Sequence, residues 1–148
     1  MIAICTLFVT ACLSATPTST SLPQPSPQAV VEKLLFRSSL ATFMKEADSP
    51  KRDTRLDWTT DGCSAPVVGS TGRSFDFYNA CRRHDFGYRN YTKIKNGKLW
   101  TSALRARVDA VFKRDMNADC VKRPTTERSN CLGWMDLFYN VVRTYAGP

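Results

Sequence analysis

The chain has 148 residues, with 21 Lys or Arg against 13 Asp or Glu, and a formal net charge of +8 with its one histidine counted neutral. That length suits one domain, and 43% hydrophobic with 11% aromatic residues is too apolar for a disordered chain. No apolar run reaches the roughly 18–20 residues of a membrane-crossing helix, and a single histidine excludes both zinc sites built on several histidines and a two-histidine proton relay within one chain.

Residues 2–13 form an apolar stretch of signal-peptide length, with the small residues Ser14 and Ala15 where a signal peptidase cuts, although the usual basic start is missing. The next segment, 16–28, is rich in Thr, Ser and Pro and reads as a linker or pro-segment. The expected organisation is therefore a signal peptide over 1–15, a linker over 16–28 and a folded domain over 29–148, in a secreted, extracellular protein. Val9-Thr10-Ala11-Cys12 also has the look of a lipoprotein cleavage box, a lesser alternative for the same lack of a basic start. Removing the leader takes Cys5 and Cys12 with it and leaves Cys63, Cys81, Cys120 and Cys131. Four cysteines in an oxidising compartment form two disulfides in one of three pairings; Cys63–Cys81 with Cys120–Cys131 closes the shortest loops and is preferred.

Apolar residues at Val30, Val31, Leu34, Leu35, Leu40 and Phe43 recur at helical spacing, which predicts one amphipathic helix over 29–47. Ser49-Pro50-Lys51-Arg52 ends it, and the dibasic pair reads as a solvated turn in preference to a processing site. Residues 57–73 show no period and are punctuated by Gly62, Pro66, Gly69 and Gly72, a loop long enough to be functional. Helical spacing returns over 75–91, a turn centred on Asn96-Gly97 follows, and two further helices are predicted over 99–120 and 131–146, separated by Pro124 and a polar run. No strand alternates convincingly. The expected class is all-α: a small disulfide-stabilised helical domain in which two long antiparallel helices carry the site beside a loop.

Three positions carry chemistry. Cys81, His84 and Asp85 lie three and four apart on one helix and project from neighbouring parts of one face, although an isolated His-Asp pair is more often a core histidine beside an ordinary helix charge. Asp109 falls at the edge of the apolar stripe of its helix, so it either ion-pairs with Arg105 or Lys113 one turn away or, if the helices are antiparallel, accepts a hydrogen bond from His84. Such a bond fixes the ring tautomer and frees the other nitrogen to take a proton from water. In the loop, Asp61 and the Gly62 carbonyl offer the oxygens a calcium ion favours; a Cys63–Cys81 bond would bring Asp85 to them. Asp85-Phe86-Gly87 also matches the kinase magnesium triplet, a coincidence in a chain with no other kinase motif.

Trp58 to Cys63 (WTTDGC), Phe77 to Tyr91 (FYNACRRHDFGYRNY) and Arg107 to Phe112 with Asp115-Met116 closely resemble the secreted phospholipases A2 of the bacterial and fungal type. The resemblance implies calcium-dependent hydrolysis of the sn-2 ester of glycerophospholipids, with His84 as general base, Asp109 as its partner, and Asp61, the Gly62 carbonyl and Asp85 holding Ca2+. It also implies the disulfides preferred above. Two features depart from the pattern: Gly62 stands where relatives can have a larger apolar residue, and the turn from Lys93 to Trp100 is long. The rival is a non-catalytic phospholipase-like binder of anionic membranes or of a protein, motivated by the charge, which equally favours an anionic phospholipid surface for the enzyme. Retention of all four acidic and imidazole groups argues against a dead copy. The basic residues form no stripe, so no nucleic acid is expected, and a monomer is. Asn90-Tyr91-Thr92 is a glycosylation sequon placed in the catalytic helix.

Overall fold

The computed structural model describes residues 23–62, 71–72 and 75–145. The proposed signal peptide, most of the linker, and Cys63 lie outside the described residues. Helix α1, Pro27–Glu32, starts at Ser26, whose hydroxyl accepts from the Ala29 amide, with Pro27 in the first turn, where its missing N–H costs nothing. It runs into a π-helical turn, Lys33–Arg37.

The single helix expected over 29–47 is in fact two. Ser38 is extended, and Ser39 caps helix α2, Leu40–Ala47, by accepting from the Thr42 amide at 3.0 Å. A serine pair offers the backbone capping bonds that compete with helix continuation. Arg83 fixes the break by donating to the Ser38 carbonyl at 2.9 Å.

Thr71–Gly72 (β1) and Phe75–Asp76 (β2) pair antiparallel as a minimal ribbon, Thr71 against Asp76 and Gly72 against Phe75, where a helix start and no strand were expected. Helix α3 is Tyr78–Lys93, with Asp76 accepting from the Tyr78 amide. The predicted turn is a 3-10 segment, Ile94–Gly97, in which Lys95, Asn96 and Gly97 all have positive φ, the conformation for which Asn-Gly is suited. Thr101 caps helix α4, Ser102–Cys120. Helix α5, Thr125–Tyr145, begins directly after Pro124, six residues earlier than expected: the polar run 125–130 holds no helix breaker and is a mostly exposed first turn and a half.

Contacts run in opposite order along α3 and α4. Arg83 meets Asp115, His84 meets Phe112 and Asp109, and Tyr88 meets Arg105, so the pair is antiparallel. Gly87 allows this approach, because a Cβ there would lie 2.8 Å from Val108 Cγ1. Two apolar clusters flank the pair. One joins α4 and α5 through Phe77, Phe112, Met116, Phe138 and Val142; the other seats Leu35 and Phe43 against Phe86, Tyr91 and Val108. Cys120–Cys131 is a disulfide, with Cα atoms 5.5 Å apart, linking α4 to α5. Cys81 is fully buried and has no disulfide partner among the described residues. The class is all-α, as expected, and no described helix is long and apolar enough to cross a membrane.

Candidate active site

The antiparallel pairing sets His84 of α3 against Asp109 of α4. His84 Nε2 lies 2.8 Å from Asp109 Oδ1, with His84 4% exposed and Asp109 wholly buried. In the neutral ring, the nitrogen that faces a carboxylate carries the proton, which leaves the lone pair on Nδ1. The ring lies between Tyr88, 4.3 Å between centroids, and Phe112, 4.8 Å, which leaves it little freedom to turn. The two interactions considered for Asp109 are not exclusive: Arg105 stands 3.9 Å away, a long ion pair, while Lys113 pairs with Asp136 instead.

Two partners of Asp109 were not anticipated. The Tyr88 hydroxyl donates to Oδ1 at 2.7 Å and Arg143 of α5 donates to Oδ2 at 2.5 Å. Burial pushes the Asp109 carboxyl up, but the bonds from His84, Arg143 and Tyr88 outweigh it and hold the group below the usual carboxylate range. Arg105 donates to the Tyr88 hydroxyl at 3.0 Å and to the Arg143 carbonyl at 2.5 Å. Burial, opposed by Arg105 and reinforced by Asp109, raises the Tyr88 phenol, so it acts as a donor. Tyr88 was legible, since it follows His84 by four on one helix face; Arg143, 34 residues from Asp109, has no local signal.

Asp85 faces the loop. Its Oδ2 accepts from the Thr60 hydroxyl at 2.5 Å, the Asp61 amide at 3.1 Å and the Gly62 amide at 3.3 Å. Gly62 has φ 70, so a larger residue here would be strained. Asn90 pins the start of the same loop, accepting from the Asp57 amide and donating to the Asp57 carbonyl, 2.9 and 2.8 Å, while its amide nitrogen also donates to the Phe86 carbonyl. Both amide hydrogens of this sequon asparagine are thus engaged and buried in the fold. Burial, only partly offset by the Thr60 hydroxyl and reinforced by the nearby Asp61 charge, raises the Asp85 carboxyl. Of the three residues expected to hold calcium, Asp85 and Gly62 touch through the Gly62 amide, a contact that does not involve the Gly62 carbonyl, whereas the Asp61 carboxylate is 59% exposed with Arg89 at 3.0 Å. Among the described residues no three His, Cys, Asp or Glu gather as a metal cluster.

A buried His–Asp pair thus lies beside a second, loop-held carboxylate, an arrangement in which an imidazole can take a proton from water. Residues 31–146 match the family of prokaryotic phospholipases A2. A secretory phospholipase A2 of Beauveria bassiana (strain ARSEF 2860) is 35% identical over 133 residues, which are 90% of this chain and 66% of that protein. One of Arthroderma benhamiae (strain ATCC MYA-4681 / CBS 112371) is 34% identical over 118 residues, 78% of this chain and 76% of that protein. The chain belongs to the prokaryotic phospholipase A2 family. It spans just under two thirds of the Beauveria relative's length.

Proposed function

We propose that the chain is a secreted, monomeric phospholipase A2 that hydrolyses the sn-2 ester of glycerophospholipids, releasing a fatty acid and a lysophospholipid. The observation that carries this reading is the 2.8 Å bond between His84 Nε2 and Asp109 Oδ1 in a chain of this family. His84 Nδ1 takes a proton from water, and the hydroxide formed attacks the sn-2 carbonyl carbon without an acyl-enzyme. Asp109 keeps Nε2 protonated, aims the ring, and balances the imidazolium. The proton held on Nδ1 then passes to the departing lysophospholipid oxygen.

Calcium fits the donors present. They are all oxygen, and the Asp85 carboxyl, raised by burial and by Asp61, is a charge that a hard dication would stabilise. Asp85, Asp61 and the Gly62 carbonyl are the proposed ligands, with Asp61 leaving Arg89 to join them. The ion, when bound, supplies Lewis-acid stabilisation of the oxyanion. Thr60 and Asn90 shape the loop that offers these groups, and a Cys63–Cys81 disulfide would anchor its far end to α3.

The test is hydrolysis of vesicles whose sn-1 and sn-2 chains differ, with calcium and with EGTA. Release of the sn-2 acid that stops in EGTA and in His84→Asn is expected. Release of sn-1 acid, or full activity in chelator, overturns the assignment. The net charge of +8 further predicts tighter binding to anionic than to zwitterionic vesicles, weakening with salt; equal binding to both would remove the charge from docking. That binding alone, without hydrolysis, would favour the non-catalytic reading.

A further inference from the structure

Asp109 is 0% exposed, and a buried carboxylate needs every oxygen served. Oδ1 serves the dyad, receiving the His84 ring and the Tyr88 hydroxyl. Oδ2 is bound by Arg143 at 2.5 Å, with Arg105 Nε at 3.9 Å. A carboxylate turns readily about its last side-chain bond, which has broad, roughly two-fold preferences. Holding Oδ1 on the imidazole therefore requires something to hold Oδ2. We propose that Arg143, from the last turn of α5, is the positioning residue of the dyad, fixing the Asp109 carboxylate so that Oδ1 stays on His84; this rests on the reading of His84 and Asp109 as a dyad.

The arrangement around Arg143 supports a dedicated role. Arg105 donates from α4 to the Arg143 main-chain carbonyl at 2.5 Å and, through its Nε, to the Tyr88 hydroxyl at 3.0 Å. One arginine thus secures the helix end that presents the other, while also steadying the second donor on Oδ1. Three helices meet on one carboxylate: α3 through His84 and Tyr88, α4 through Asp109 and Arg105, and α5 through Arg143. The Arg143 side chain is 38% exposed, and α5 is anchored elsewhere by Met135, Phe138, Val142 and the Cys120–Cys131 bond. Replacing Arg143 therefore removes a contact to the dyad without emptying the core.

The test uses tag-free protein with Arg143→Gln and Arg143→Lys, alone and in an Asp109→Asn background. Because the chain holds one histidine, its ring signals belong to His84 without assignment. In the parent the ring N–H exchanges slowly; in Arg143→Gln it exchanges at least about tenfold faster, and Arg143→Lys restores protection. On a monodisperse short-chain phospholipid, kcat of Arg143→Gln falls about 10- to 100-fold with KM within about twofold, because the lost contact misplaces a catalytic group and leaves binding alone. In the Asp109→Asn background the same change adds little. Unchanged ring exchange in Arg143→Gln, or an equal loss of kcat with Asp109 already replaced, overturns the proposal. A parent without hydrolysis would overturn the enzymatic reading, while the ring N–H still decides whether Arg143 positions the pair.

Discussion

Replacing Gly87 with alanine sets two effects of opposite sign against each other. Alanine is favoured over glycine inside a helix by about 0.8–1.0 kcal/mol, so an exposed position on α3 would be stabilised. Here the new Cβ would stand 2.8 Å from Val108 Cγ1 and 3.1 and 3.2 Å from the two Leu35 methyls. Leu35 has rotamers to try; Val108, fully buried and β-branched in a helix, has one strongly preferred rotamer. Overpacking of a tight core costs about 1–3 kcal/mol, and so stiff a neighbour puts the cost near the upper end. The expected net loss is about 1–2 kcal/mol, or about 3–10 °C in Tm at this size. Urea unfolding should show a lower midpoint with unchanged slope. Activity should fall too, because Gly87 lies one turn from His84 and Val108 adjoins Asp109, so parting the helices lengthens the 2.8 Å bond. A variant as stable as the parent would refute the reasoning, since the helices would then have room to spare.

His84→Asn should lower turnover by about 10² to 10⁴ with vesicle affinity retained, and Asp109→Asn should cost less, because the ring remains; the reverse order in steady-state kinetics would unseat His84 as base. Asp115→Leu strands the buried Arg83 guanidinium and should cost about 3–5 kcal/mol in urea unfolding, most of it recovered by adding Arg83→Met; no recovery would mean the pair is not the cause. Burial pushes Asp57 up, but Lys93 and Thr59 bring it down to about 2 from 3.8, so its stabilisation is complete above 3.8 and lost as pH falls toward 2. Asp57→Asn should flatten that acid limb, and parallel curves for parent and variant would contradict it. Calcium at 100 times its Kd should stabilise the parent by about 2.7 kcal/mol and Asp85→Asn hardly at all; a Tm equal in calcium and EGTA would remove the ion from the site.

Local chemistry made the long helices legible. The three-and-four spacing of Leu104, Val108, Val111, Phe112 and Met116 marks α4, and Asn96-Gly97 marks the turn before it, which together place Asp109 within reach of His84. The break at Ser38-Ser39 was missed because the apolar period runs through it. Only the cap and the bond from distant Arg83 reveal that the helix stops. The early start of α5 was missed for the opposite reason: residues 125–130 are polar and mostly exposed, and apolar periodicity says nothing about a turn that adds nothing to the apolar core. Thr60, Asn90 and Arg143 are ordinary polar residues in sequence. Each gains its role from a partner 25 to 34 residues away.

Asp85 and Asp109 are both buried acids at one site, and the fold treats them in opposite ways. Asp109 is given a cation by the chain itself, along with a phenol and an imidazole, and is held ionised. Asp85 receives main-chain amides and a hydroxyl, with a second carboxylate nearby, and its carboxyl is raised. Pairs of acids pushed apart in this way divide the labour of a site. On the reading of His84 as base, taking a proton from water would make it a cation, and the bonds from Arg143 and Tyr88 hold Asp109 as the anion that would face it. Had an arginine been supplied to Asp85 as well, that charge would be spent within the chain. Served by neutral donors, the Asp85 carboxyl, one residue from His84, is the group that an added cation would stabilise on the proposed reading.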